Sequence, residues 1–582
     1  PLLPRKAAGG ASHNYNCWFL VVYALRVVYT DASMADQIEM EKTWIDWLIG
    51  ALLGAVALAA YVATLSVGAY PGESASYIIQ VSGLFPKLGP DHPLWAGIAW
   101  LVSRLPVGAL TARLNGLSAL CGAVSVGLLY GLVRGTVWHT IAVNPVNRIR
   151  AAMAARLAGA FAALFLAFSI PFWVASNRAH PASFDVLLLL AAIRLFYGFV
   201  ITGGSRHLYA FALLCGLGIV EFATFIVFAP LFAFATVYVL IRREAVEARL
   251  LTGAILSGLA GLSLYFIDAW IFCGTSGYQV RGYTGYFQVL WLMWREQVSL
   301  IAHSLPESGW LVILMTTVIP WLTCLAVAKR ALNEEKDWTF YVLHVVVTGL
   351  AIAVLFNMKL SPWQWLGFGR LLVTPYLLTA SVFGYLMAYW YLLPSGWWQD
   401  AEEPIKRAIR TWLGPLLVVP GFLALFVAPF RNLETADGRQ AKLVTRYAEA
   451  VVGSLAGREW LVTDGAVDPQ LMVAAAEQHR PLRVLDLSAG NSALPATGFS
   501  RPDRNSNDGL PTSVSPCPSI ANTPISSTGP NRFLMLRRIR YWWLRSPSKL
   551  ITTSTMCSST RGPAMLPSLV TWPTSTSTTP FS

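Results

Sequence analysis

The densest collection of groups able to do chemistry follows the first long apolar stretch, in the run Tyr70-Pro71-Gly72-Glu73-Ser74-Ala75-Ser76-Tyr77. Glu73 stands where a carboxylate meets a membrane surface, a depth at which ionisable groups are costly to desolvate and tend to have a partner or a task. A carboxylate there can act as general base toward an acceptor hydroxyl, because transfer to an alcohol requires proton removal from the nucleophile in the transition state. It can equally cap the helix that starts at Ser74, where an acidic group suits the positive dipole end. The residues alone leave those two uses evenly matched.

Asp91-His92-Pro93-Leu94-Trp95 comes next, then an amphipathic stretch from Ala96 to Leu105 that is patterned to lie in the interface and ends at Pro106. His92 can hold a phosphate or an acceptor, or serve as a turn residue beside proline. Arg113 and Asn115 open the following apolar run, where Arg113 is a boundary anchor or a phosphate ligand. The connection Ser176-Asn177-Arg178-Ala179-His180-Pro181-Ala182-Ser183-Phe184-Asp185 is unusually polar for a short link between spans and is expected to line the same cavity as Glu73. Two further loops, Gly274 to Glu307 and Asn357 to Arg370, are rich in aromatics, with Arg281, Arg295, Lys359 and Arg370 among them. Aromatic faces beside arginine form an interfacial belt and also hold sugars and phosphates. No spacing of His, Cys and carboxylates stands out as a metal cluster, so a metal-independent site is the simpler expectation. Cys121, Cys215 and Cys324 fall inside apolar runs with no CxxC pair and read as small packing residues.

The elements that position these groups are membrane helices. Hydrophobic residues make up 55% of the chain and charged residues 13%, with a mean hydropathy of +0.53. A soluble protein could not hide that much apolar surface. About eleven spans follow from the apolar runs, at 44–68, 113–133, 157–175, 185–202, 208–220, 222–241, 250–272, 309–328, 338–356, 371–391 and 412–430. The fold class is therefore an all-α polytopic membrane protein. The net charge of +13 is scattered over short loops, which excludes a nucleic-acid stripe and reads as topology. Arg134, Arg148, Arg150 and Arg156, then Arg242, Arg243 and Arg249, then Lys329, Arg330 and Lys336, then Lys406, Arg407 and Arg410 mark cytoplasmic loops. The N-terminus is then cytoplasmic, and the first outer loop, 69–112, faces the outside or periplasm with the C-terminal segment.

Residues 44–430 form the transmembrane domain, preceded by an N-terminal segment, 1–43. Met34 opens an ordinary start, so residues 1–33 are expected to be upstream sequence, not native. Residues 431–497 alternate as helix at 441–455, strand at 459–463, helix at 469–478 and strand at 482–487, an incomplete α/β extracytoplasmic segment. From 498 to 582 the chain is rich in Ser, Thr, Pro and Asn, which reads as a disordered or frame-shifted tail.

Taken in order, Tyr70-Pro71-Gly72-Glu73-Ser74, His92-Pro93-Leu94-Trp95, Arg113-Leu114-Asn115-Gly116-Leu117-Ser118-Ala119-Leu120, Asn177-Arg178-Ala179-His180-Pro181 and Gly216-Leu217-Gly218-Ile219-Val220-Glu221 resemble a family. It is a mostly bacterial membrane family related to protein O-mannosyltransferases and similar to the GT-C glycosyltransferase superfamily. Glu459-Trp460-Leu461-Val462-Thr463-Asp464 resembles that family's post-membrane segment. The resemblance covers roughly 44–490. It implies a GT-C-like core in a bacterial inner membrane and transfer of a sugar, mannose being one candidate, from a polyprenyl-phosphate donor to a hydroxyl of a protein or glycan acceptor. It also implies no cofactor besides that donor. The acidic residue after the first span is the superfamily's catalytic carboxylate, which matches Glu73; relatives usually carry Gly-Asp-Ser, so Glu adds one methylene. His92, Arg113, Asn177, His180 and Arg370 are the expected substrate-binding residues, with Arg113 and Arg370 on the lipid phosphate. Two rival readings are a transporter or lipid-carrier flippase, for which Glu221 and Asp268 would line a path, and a non-catalytic assembly subunit.

Overall fold

A computed structural model describes residues 44–84, 92–141, 148–275, 278–279, 282–303, 307–333, 338–366, 372–396 and 403–486. The expectations for residues 1–43 and 498–582, and for Asp91, Arg281, Lys336 and Arg370, lie outside these residues. In chain order the helices are α1 (Trp44–Ala63), α2 (Glu73–Ser82), α3 (Pro93–Ser103), α4 (Leu110–Thr140), α5 (Arg148–Phe168), α6 (Ile170–Ser176) and α7 (Ala182–Thr202). There follow α8 (Ser205–Glu221), α9 (Ala223–Arg242), α10 (Ala248–Leu262), α11 (Leu264–Phe272), α12 (Tyr286–His303), α13 (Glu307–Ile313) and α14 (Ile319–Asn333). The last are α15 (Trp338–Leu355), α16 (Pro362–Leu366), α17 (Thr374–Leu392), α18 (Pro404–Ala436), α19 (Lys442–Ser454) and α20 (Asp468–Glu477).

Among the described residues, nine helical stretches are long and apolar enough to cross a bilayer. This makes the chain a polytopic integral membrane protein with an all-α core. Of the eleven expected spans, the fifth and tenth fall on α8 and α17, which are not among the nine. α8 has 17 residues. α17 carries Thr, Ser, Gly and several Tyr, and most of its side chains are buried against other helices. A helix enclosed by protein meets little lipid and tolerates polar groups that a lipid-facing helix does not.

α4, α5 and α17 form the centre. α5 is rich in alanine, and its buried face of Ala154, Ala155, Ala158, Gly159 and Ala162 lets its neighbours approach closely. A Cβ on Gly384 of α17 would overlap the carbonyl of Ala158, and one on Gly216 of α8 would overlap that of Gly258 in α10. The span expected at 157–175 is broken at Ser169, whose extended backbone and the following Pro171 end α5 and start α6. One expectation is corrected here: Arg134 is not a loop charge. It is buried inside α4 and ion-paired with Asp46 of α1. Arg156 of α5 donates to the same carboxylate over 2.9 Å. A charge in that position is retained because its counter-ion is built into the next helix.

Beyond α18 the chain forms α19, strand β1 (Trp460–Thr463), α20 and strand β2 (Arg483–Asp486). The two strands pair in parallel, Trp460 opposite Arg483 and Thr463 opposite Asp486. α20 joins them and packs its Val473 into an apolar cluster with Ala75 and Ile78 of α2 and Trp95 of α3. Glu477, at its end, accepts from the backbone N–H and hydroxyl of Thr111 at 3.3 and 3.0 Å. The C-terminal segment thus braces the short helices that follow α1.

Candidate functional site

The site begins with how two loops are fixed. After α1 the chain is held by Asn115, whose amide donates to the Ser66 carbonyl at 2.8 Å and whose oxygen accepts from the Ala179 N–H at 2.7 Å. The Ser66 N–H donates to the Asn177 carbonyl at 2.9 Å. The Asn177 amide donates to the Ala436 carbonyl at 2.5 Å and to the Thr64 hydroxyl at 3.4 Å. Ser118 exchanges hydrogen bonds with the backbone of His180 at 3.2 and 3.1 Å. Buried backbone groups in both loops therefore have partners, which is what permits loops at this depth.

Gly72 then turns the chain into α2 with φ of 95°, a conformation that a Cβ would strain. That turn makes Glu73 the first residue of α2. Its Oε2 lies 3.0 Å from Nε2 of His180. His180 Nδ1 accepts from the Ala182 N–H at 3.1 Å, so the proton sits on Nε2 and Nε2–H donates to Glu73. That hydrogen bond, against the opposing effect of burial, holds the Glu73 carboxyl below its usual range. The side chain is 57% exposed while His180 is 8% exposed, so an oriented, ionised carboxylate faces outward on a buried support.

Beside this dyad, the guanidinium of Arg178 lies 3.5 Å from the ring centroid of Tyr70. Its Nε donates to Asn177 at 3.3 Å, and its Nη2 makes no hydrogen bond. Arg178 is 8% exposed, and Tyr70 is its other polar partner. A buried cation with an unsatisfied donor is able to take an anion as its partner.

A third group lies across Tyr77. Nδ1 of His92, which precedes α3, is 3.3 Å from Oδ2 of Asp185 and 3.9 Å from Oε1 of Glu221. Glu221 closes α8 and accepts from the N–H groups of Leu94 and Trp95 at 2.6 and 3.0 Å, capping the start of α3. The Tyr77 ring meets His92, Trp95 and His180 edge-on, with centroids at 6.1, 5.4 and 5.4 Å.

Of the residues expected from sequence, Glu73, His92 and His180 are thus brought together around Tyr77. Asn177 sits behind them as a tie between loops. Arg113 donates to the Leu105 carbonyl and holds the turn between α3 and α4. Arg370 lies outside the described residues. Sequence reasoning passed over Arg178, although it stands between two chosen residues, and did not join Asp185 and Glu221 to His92. The last three come from α7, α8 and the start of α3, and their separations match no ligand motif; the available signal was a carboxylate at the end of each of two apolar runs.

Residues 76–247 match the family described as the protein O-mannosyl-transferase TMEM260 N-terminal domain. Over that stretch the chain is related to O-mannosyltransferases. The match contains His92, Arg178, His180, Asp185 and Glu221 and begins three positions after Glu73. Among curated proteins none matches the chain significantly.

Proposed function

We propose that this chain is a membrane glycosyltransferase that moves a sugar, mannose being the first candidate, from a polyprenyl-phosphate donor to an acceptor hydroxyl at the outer face of a bacterial inner membrane. The observation that carries this reading is the ionised, outward-facing Glu73 held by His180, in the same pair of loops as a buried Arg178 with an open donor. Glu73 accepts the proton of the acceptor hydroxyl as its oxygen forms a bond to the anomeric carbon. The bond from that carbon to the lipid phosphate breaks, and Arg178 stabilises the departing phosphate. The displacement is single and inverts the anomeric centre. Arg178 takes the phosphate role because Arg113 is committed to the Leu105 carbonyl.

The same reading has α8 and α17 cross the membrane with the nine apolar stretches, placing the N-terminus in the cytoplasm and the C-terminal segment outside. A protein or glycan hydroxyl is the acceptor, and residues 431–486 help to present it. A transport path through Glu221 is less favoured, since its carboxylate is engaged by the backbone of α3.

The test is sugar transfer in membranes from a labelled polyprenyl-phosphate mannose, comparing wild type with Glu73→Gln and Arg178→Gln. Transfer that is lost in Glu73→Gln supports the assignment; equal transfer by the two proteins removes Glu73 from the chemistry. Absence of transfer across several donors and acceptors moves the reading to the transporter or assembly-subunit alternative.

A further inference from the structure

We propose that His92, Asp185 and Glu221 form a binding site for a divalent metal cation, Zn2+ or Mn2+. The inference goes beyond the transfer reading and stands whether or not the chain moves a sugar.

The geometry is the first support. Zn–N and Zn–O distances of about 2.1 Å place the ligand atoms of a tetrahedral site about 3.4 Å apart. Here His92 Nδ1 is 3.3 Å from one carboxylate and 3.9 Å from the other, and all three candidate ligand atoms lie within 4.8 Å of one another. One imidazole with two carboxylates is a donor set suited to Zn2+ or Mn2+. Three protein ligands also leave a coordination position for water or an anion, as in catalytic metal sites.

Asp185 supplies the second, independent support. It is 1% exposed; among the described residues its Oδ1 has no hydrogen-bond partner, and its Oδ2 has only the approach of His92 Nδ1. Its Oδ2 points to the shared space at 3.3 Å from His92. A buried carboxylate without a donor costs several kcal/mol unless a positive charge faces it. Glu221 differs, since two backbone N–H groups already orient it, as outer contacts orient metal ligands. A protonated His92 balances one of the two carboxylates; a divalent cation balances both. The proposal departs from the metal-independent expectation drawn from the sequence, in which three residues so far apart showed no ligand pattern.

The test is equilibrium binding of Mn2+ to the purified full-length chain in detergent, followed by the electron paramagnetic resonance signal of the free ion, with Zn2+ as competitor. One Mn2+ per chain is expected, displaced by Zn2+. Asp185→Asn and His92→Gln should each weaken binding by about 100-fold or more, since loss of outer contacts alone costs 10–100-fold. Glu73→Gln should bind like wild type. His92→Gln alters a residue at the surface of the cluster and keeps the test usable should Asp185→Asn fail to fold. No saturable uptake by wild type, or uptake unchanged in the folded variants, overturns the site and leaves a His92–Asp185 ion pair beside a helix-capping glutamate.

Discussion

At the scale of single residues, Glu73 is defined by the proton that His180 presents to it. Its carboxyl is held below the usual value of 4.5 chiefly by the hydrogen bond from His180. The base form therefore exists above this lowered pKa and is lost as pH falls through it. Transfer should keep its acid limb below pH 4.5 in wild type, and the limb should move upward in His180→Ala, read from the pH profile of sugar transfer. The dyad's contribution to stability has the same sign, present at higher pH and lost on acidification, and is small because the carboxylate is mostly exposed. Arg178→Gln removes an open donor from the proposed phosphate position. A charged hydrogen bond is worth roughly 1.5–3 kcal/mol, so kcat/KM for the donor should fall about 10- to 100-fold. Arg178→Lys should recover part of that loss, as it keeps the charge but not the planar fork.

At the scale of helices and loops, the fold depends on a few close approaches. Gly216→Val in α8 should destabilise the bundle by about 1–3 kcal/mol, the usual cost of overpacking, measured by unfolding in mixed micelles. Asn177→Ala strands the Ala436 carbonyl and loosens the loop behind His180. The expected loss is about 1–3 kcal/mol, and transfer falls with it. Much of this level was legible in the sequence, because apolar runs of bilayer length and the strand–helix alternation after 441 follow directly from hydropathy and periodicity. What was not legible depended on which helix becomes a neighbour. Arg134 read as a loop charge because nothing in its own run reveals that Asp46 will lie beside it. Glu73 stands out in the sequence by its place after a span. Arg178, Asp185 and Glu221 become meaningful only when α7, α8 and the start of α3 are brought to one end of the bundle.

At the scale of the whole molecule, basic residues separate the two ends of the bundle. Arg243 fastens the end of α7 by donating to the Ile201 carbonyl at 3.0 Å, opposite the end that carries Glu73. Cysteine introduced at Val107, exposed in the turn between α3 and α4, should react with a membrane-impermeant thiol reagent applied to intact cells. Cysteine at Val246, exposed between α9 and α10, should be protected until the cells are opened. Reversed labelling would place Glu73 in the cytoplasm and remove the donor assigned to it.

The tie between Asn177 and Ala436 also sets an order of events during synthesis. Its two ends are 259 positions apart, and the Gly438 N–H closes onto the Thr64 carbonyl in the same place, at 3.0 Å. At about 5–20 residues per second, roughly 10–50 s separate the emergence of the His180 loop from that of the segment that fastens it. Throughout that interval Glu73 and His180 are already made, yet the loops that align them lack their last clasp. The end of the protein that carries Glu73 is thus completed only after α18 has been inserted, and a ribosome that stops before residue 436 leaves a bundle of helices whose loops are not yet fastened.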